Sequence, residues 1–369
     1  MAWKERYEKL VEEARLHLHL RILGAVGAIT KAYVDMLVEI ETAFPDVEKL
    51  TKKQAGVLSL RIIAIIAEYS RLTQVIVRRG SSMAVSTAVD AHVRGATEAI
   101  AEAGVSIALA GLAGVKSSVT KYAQSRRGSF SGNEGGLIEG WTDLGAKEIN
   151  HYIRKNIGRP SREASDQLLR QVSQHPHVEK ALRNLGARGE AVRRGITRAG
   201  RAKDDIATPG RGMYTNAKRT LIHEMNSMYH EADALASHES PMVDLLQWHV
   251  SAQHATMGHA PDVCDGLKEL NLHGFGPGIY YPATVPSLPH PHCQDYVTRI
   301  MRPPENWGDP KRTPVIPRVP GAEEVRKAME AVNTRPGAKP VSKIKTDNIR
   351  IQVEQATQIA HDAYVDFNG

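Results

Sequence analysis

Apolar side chains return every three or four residues from Trp3 to about Phe44. Val11, Ala14, Leu18, Ile22, Val26, Ile29, Tyr33, Leu37 and Ile40 fall on one stripe of a helix or helix pair, and Pro45 closes the run. Thr51 followed by Gln54 has the spacing of a capping box, in which each side chain satisfies a backbone N–H of the first turn. The pattern predicts a second helix from there to about Arg79, stopped by Gly80, and a third run rich in Ala and Gly from Met83 to about Ala123. Residues 125–136, SRRGSFSGNEGG, have little to bury and much entropy to lose, and read as a linker. Shorter helical pieces broken by Pro160, Pro176 and Gly186 follow, then a break at TPGRG, residues 208–212.

From Asn216 to Ser237 the pattern is again one helix, after which its period changes. Val243 to Ser251 carries β-type apolar residues, a loop rich in His, Gly and Pro runs to Cys293, and Tyr296 to Met301 reads as a closing strand. The expected fold is mainly α: a long-helix N-terminal body over 1–125, a linker over 126–138 and a basic helical segment over 139–210. A small α+β domain over 211–302 and an extended tail over 303–369 complete it, the tail holding a Pro-rich connector and a C-terminal helix.

Composition supports this division. The chain has 369 residues, 41% of them hydrophobic, enough for two or three cores, and only four Phe and four Trp, so Ala, Leu, Ile and Val supply the apolar surface and favour helix. The longest uncharged apolar stretch, Ala103 to Val115, has 13 residues against the ~20 a bilayer span needs, so no membrane anchor is expected. The charged, amphipathic first residues do not read as a secretion leader. Two cysteines are too few for a disulfide framework, which points to synthesis in a reducing compartment.

Charge changes the picture at one place. Formal net charge is +7, yet residues 151–220 alone carry 16 Lys and Arg against 6 Asp and Glu, so the rest of the chain is slightly acidic. Arg188, Arg193, Arg194, Arg198, Arg201 and Lys203 are the candidates for non-specific contact with double-stranded DNA, a salt-sensitive mode that needs only concentrated charge. The alternative is a solvated helix face. Aromatic residues are too few in this segment to suggest base stacking on single strands.

Several catalytic signatures are excluded. His223 and His230 in HEMNSMYHE are seven residues apart, about 10 Å along a helix, whereas a metalloprotease helix needs them four apart. The zinc-deaminase spacing, the Walker loop and the dinucleotide fingerprint do not occur, and GFGPG at 274–278 reads as a turn.

In order along the chain stand RTLIHEMNSMYHEADALA, LLQWHVSAQH, DVCDGL, GPGIYYP and VPSLPHPHC. This ordered set, about 80 residues of the 369, resembles the Mu F-like domain of phage head-morphogenesis proteins. In that domain an Arg-Thr helix precedes a Trp-bearing strand, a Cys-Asp turn, a Gly-x-Tyr strand and a closing His-Pro-x-Cys. The family elements fall on Arg219, Thr220, Asn226, Trp248, Ser251, His254, Cys264, Asp265, Tyr280, His290, Pro291 and Cys293. One departure is visible: relatives often continue with a basic residue and a further cysteine, where this chain has Gln294 and Asp295, so a third cysteine ligand is absent.

The resemblance implies a minor capsid protein of a tailed bacteriophage, a few-copy component inside the virion near the portal vertex. Such a protein is made in the host cytoplasm, binds the portal through its N-terminal helices, and acts in head assembly and DNA packaging or ejection rather than as an enzyme. The alternative is a metal-dependent hydrolase or nuclease that uses the His/Cys cluster.

A stretch this rich in Gly and Pro, and poor in apolar residues, calls for a staple. His254, Cys264, His290 and Cys293 offer two imidazoles and two thiols, a donor set suited to tetrahedral structural zinc. The alternative is that both cysteines are small buried residues and the histidines hydrogen-bond loop backbone. His249, His259, His273 and His292 read as solvated or hydrogen-bonded.

Overall fold

The computed structural model describes residues 2–105, 146–147, 150–172, 176–187, 192, 213–251, 263–271, 274–286, 288 and 293–307. Two long helices open it, α1 over Ala2–Ala43 and α2 over Lys52–Ala103. The stripe read from the sequence is the buried face of α1, with Val11, Ala14, Leu18, Ile22, Ile29, Tyr33, Leu37 and Ile40 shielded from solvent and Val26 half-buried. At the start of α2 the capping box closes as expected: the Thr51 N–H donates to Gln54 Oε1 at 3.0 Å and the Gln54 N–H donates to Thr51 Oγ1 at 3.3 Å.

The expected stop at Gly80 does not occur. A lone glycine costs a helix interior about 1 kcal/mol, and the turns on either side bury Val77, Ala84, Val85 and Ala88, enough apolar surface to offset it. The helix ends instead at Gly104, whose φ of +65° lets the chain leave through the left-handed region.

The chain forms two compact units: 1–20, 81–125 and 223–369 in one, 21–80 and 126–222 in the other. In the second unit Tyr33 meets Tyr69 and Tyr214, each with ring centroids 5.4 Å away, and the Tyr214 hydroxyl shares a 2.9 Å hydrogen bond with Thr30. Leu50 donates its N–H to the Arg159 carbonyl at 3.0 Å and accepts from the Gly158 N–H at 2.8 Å, tying the loop after α1 to the residues before α3, Ser161–Val172. Helix α3 buries Leu168 and Leu169, and α4, Pro176–Asn184, buries Val178 and Leu182.

The first unit holds the greater part of α5, Met213–Glu239, followed by β1 (Val243–His249), α6 (Val263–Glu269), β2 (Ile279–Tyr280) and β3 (Tyr296–Met301). The strands form an antiparallel sheet in the order β2-β1-β3, with Leu246 opposite Tyr280 on one side and Arg299 on the other, and Trp248 opposite Val297. The fold of the described residues is thus mainly helical with one small antiparallel sheet.

This sheet and its helices bury Ala234, Leu246, Trp248, Cys264, Leu267, Leu270, Tyr280, Leu288, Cys293 and Val297 in one cluster. The domain therefore has a core of its own, contrary to the impression left by its Gly- and Pro-rich loops. The apolar residues come from helices and strands that those loops separate in sequence. A second cluster packs Tyr7 and Val11 of α1 with Ala96 and Ala99 of α2, Met242 and Trp307, and Trp3 stands edge-on to Trp307 at 4.8 Å. Among the described residues no helix is long and apolar enough to cross a membrane.

Candidate metal centre

Cys264 lies in the first turn of α6, at the place where a Cys-Asp turn was expected; the chain there is helical from Val263 to Glu269. Two contacts fix this short helix. The Tyr280 hydroxyl donates to the Leu267 carbonyl, and the Gly278 N–H donates to the Leu270 carbonyl at 3.0 Å. Gly278 has a φ of +68°, and a Cβ at that position would stand 2.5 Å from the Lys268 carbonyl oxygen, so this close approach requires glycine.

Cys293 comes from the other side, just ahead of β3, and its carbonyl accepts a 3.3 Å hydrogen bond from Asn226 Nδ2 on α5. The two sulfurs are 3.7 Å apart, well beyond the ~2.05 Å of a disulfide. Both cysteines are buried, Cys264 completely.

Asp295 completes the group. One donor atom from each of Cys264, Cys293 and Asp295 falls within 4.8 Å of the other two, and all three side chains are buried. The Ser251 N–H donates to Asp295 Oδ1 at 3.0 Å and so orients the carboxylate. Its Oδ2 is buried and has no hydrogen-bond partner among the described residues. Two soft sulfur donors and one hard oxygen donor in a pre-formed, desolvated cluster are a set that could hold a metal ion.

The four-residue set read from the sequence is half on view. Cys264 and Cys293 are brought together, while His254 and His290 lie outside the described residues, as does Pro291. The DNA-contact candidates Arg188, Arg193, Arg194, Arg198, Arg201 and Lys203 also lie outside them. Of the other positions that carry the sequence resemblance, Trp248 and Tyr280 sit side by side in the core with ring centroids 6.4 Å apart, and Asp265 is half-buried beside Cys264 on α6. Thr220 is buried and Arg219 half-buried on the part of α5 that belongs to the second unit.

Of the histidines read as solvated or hydrogen-bonded, His259, His273 and His292 lie outside the described residues, and His249 is hydrogen-bonded. His249 Nε2 meets Thr298 Oγ1 at 2.7 Å while its ring stacks on Tyr296, and burial, reinforced by the charges of Lys268 and Arg15, lowers its pKa. His223 pairs with Ser227 one turn along α5. Sequence reasoning missed Asp295, because a single Asp beside a cysteine is an ordinary loop residue. Its signal was positional, two residues after Cys293 and immediately before a strand.

No protein-family model, curated protein or solved structure matches this chain.

Proposed function

We propose that this chain is a structural minor head protein of a tailed bacteriophage, with residues 211–302 as its Mu F-like domain and one structural zinc on a donor set that includes Cys264 and Cys293 and draws on His254 and His290. The observation that carries the reading is the hydrogen bond from Asn226 to the Cys293 carbonyl, which joins the first motif of the resemblance to its last across 67 residues. Around it Trp248, Ser251, Cys264 and Tyr280, all positions of the same ordered set, converge on one core and one cluster. Chance similarity in five short motifs does not require them to meet in space.

The donor geometry supports zinc. Two sulfurs each ~2.3 Å from one tetrahedral ion lie about 3.8 Å apart, and the pair here is 3.7 Å apart. Burial of all three side chains shields the site from solvent, and a fourth protein donor, for which the sequence offers His254 and His290, would close it as a structural site rather than leave the water position a metal-dependent hydrolase keeps. In this reading the long N-terminal helices dock on the portal or another head protein, and the basic segment 151–220 lies against packaged DNA without sequence preference.

Proteomics of purified particles from a host strain carrying the coding sequence tests the assignment. The chain should be recovered from intact virions at a few copies per particle and should co-purify with the portal. Its absence from virions that contain their portal and major capsid protein overturns the reading.

A further inference from the structure

We infer that Asp295 is a direct ligand of the metal held by Cys264 and Cys293, so that the centre is a two-thiolate, one-carboxylate site. This rests on the proposal that the two cysteines bind metal, and goes beyond it by assigning the third donor.

Asp295 is 7% exposed, and its two carboxylate oxygens are treated differently by the fold. Oδ1 accepts the Ser251 N–H, whereas Oδ2 is sealed from solvent with no hydrogen-bond partner among the described residues. A buried acceptor left unmatched is rare and costly, and more so on a group that ionises. A carboxylate oxygen of this residue stands within 4.8 Å of both sulfurs. A cation seated between the three donors supplies what that carboxylate lacks and is itself neutralised by it. Thiolate and carboxylate at ~2.3 and ~2.1 Å from one tetrahedral ion lie about 3.6 Å apart, so only a small closure of the cluster is needed. The Ser251 hydrogen bond then acts as the outer contact that aims the carboxylate, as metal-bound carboxylates are commonly aimed.

Two neighbouring features argue that the position is built for this. Cys293 and Asp295 lie on the short run into β3, and β3 is registered against β1 from Val243 to His249, so the run has little freedom to drift. Cys264 is held from the opposite side by the contacts that fix α6.

The test uses the full chain with Co²⁺ as the probe, since cobalt in a zinc site reports thiolate ligands through charge-transfer absorption whose intensity follows their number. The parent chain should show the absorption of two thiolates. Asp295→Asn should weaken cobalt affinity by at least about 100-fold, beyond what loss of an outer contact costs. Asp295→Cys should restore binding and raise the charge-transfer intensity by about half, as a third thiolate joins. If both variants bind cobalt like the parent, with unchanged intensity, Asp295 is not a ligand and this inference fails while the two-cysteine site stands. If the parent itself shows no thiolate charge transfer with cobalt, the zinc reading fails with it. Should either variant not fold, infrared difference spectra of the parent decide: a shifted carboxylate stretch on adding zinc supports ligation, and an unshifted one overturns it.

Discussion

His92 on α2 and Asp233 on α5, 141 residues apart in the chain, meet at 2.7 Å where neither is exposed to solvent. The Tyr7 hydroxyl lies 2.8 Å from the other ring nitrogen of His92, and Arg299 of β3 pairs with Asp233 from the sheet side. With Nε2 carrying its proton, a neutral His92 donates to Asp233 and accepts from Tyr7, while Arg299 Nη2, 2.9 Å from the same Nε2, donates to Asp233 rather than to the ring. Four elements of the first unit are joined by this one buried network.

Removing one partner should therefore cost far more than the net worth of the pair. Asp233→Ala leaves the Arg299 guanidinium buried without its counter-charge, and a loss of about 3 to 5 kcal/mol is expected. The double replacement Asp233→Leu with Arg299→Met removes both charges and should recover much of that loss. Urea denaturation of the full chain measures both. A single-variant loss below about 1 kcal/mol would show that Arg299 reaches another partner or solvent.

The same network sets a pH dependence. Burial raises the Asp233 carboxyl, but the Arg299 charge and the hydrogen bond from His92 outweigh it and bring the pKa down to about 2. Burial, with the Arg299 charge, lowers His92 against the opposing pull of Asp233. Both groups are depressed on folding, so their contributions are complete above the unfolded values and fade as pH falls. The first decline should begin below about pH 6.5, where unfolded His92 takes a proton that the folded form resists, and the second below about pH 4, as Asp233 is titrated toward its folded value. Tyr7 has the opposite sign: burial, against the Arg299 charge, raises it to about 12, so its contribution is lost as pH rises from about 10 toward that value. His92→Gln should flatten the slope of unfolding midpoint against pH between 6.5 and 4 relative to the parent. His238 and His249, also lowered by burial, keep the residual slope. Equal slopes in parent and variant would remove His92 from the account.

Periodicity was enough to place α1, α5, β1 and β3, because each buries one continuous face and each ends in a recognisable break. It was not enough at Gly80, where a local preference of about 1 kcal/mol yields to burial on both sides, nor for the composition of the units, which join segments far apart in the chain. His92, Asp233 and Arg299 left no mark that separates a buried polar residue from a surface one, since each is an ordinary polar interruption in its own helix or strand. Asp295 was not legible because a lone Asp after Gln294 carries no motif spacing, and only the fold brings its carboxylate to the two cysteines.

Gly278 offers a sharper test of backbone geometry. An alanine there would need a left-handed conformation and would press its methyl group on the Lys268 carbonyl, which belongs to the helix bearing Cys264. The strain alone costs about 1 to 3 kcal/mol, and the contact adds to it. Gly278→Ala should lower stability by more than about 2 kcal/mol and loosen α6, read by amide exchange across 263–270. Gly274, also at positive φ but with open space around its Cβ, is the control and should lose less.

The basic segment makes an electrostatic prediction. Neutralising Arg193, Arg194, Arg198 and Arg201 together should weaken retention on double-stranded DNA at low salt. It should also reduce the slope of log affinity against log salt by about 0.9 for each residue that contacts a phosphate. Unchanged retention and slope would assign those arginines to a solvated face.

Zinc removal is the test on which the C-terminal domain turns. Because Trp248, Tyr280, Leu246 and Val297 already form a core, a chelator should leave the three-stranded sheet folded. The change should be confined to the segments that carry donors, with faster amide exchange at 263–270 and 293–295 and little at 243–249. Cys264→Ser and Cys293→Ser should each cost several kcal/mol in zinc-loaded protein, because binding free energy of the ion is folding free energy. In chelated protein the same substitutions should cost only ~1 to 2 kcal/mol, the price of a polar hydroxyl in place of a buried thiol. Metal analysis of folded protein never exposed to chelator sets the frame: close to one equivalent of zinc is expected. Less than about one tenth of an equivalent, with serine variants equally destabilised with and without added zinc, would make the two cysteines packing residues and nothing more.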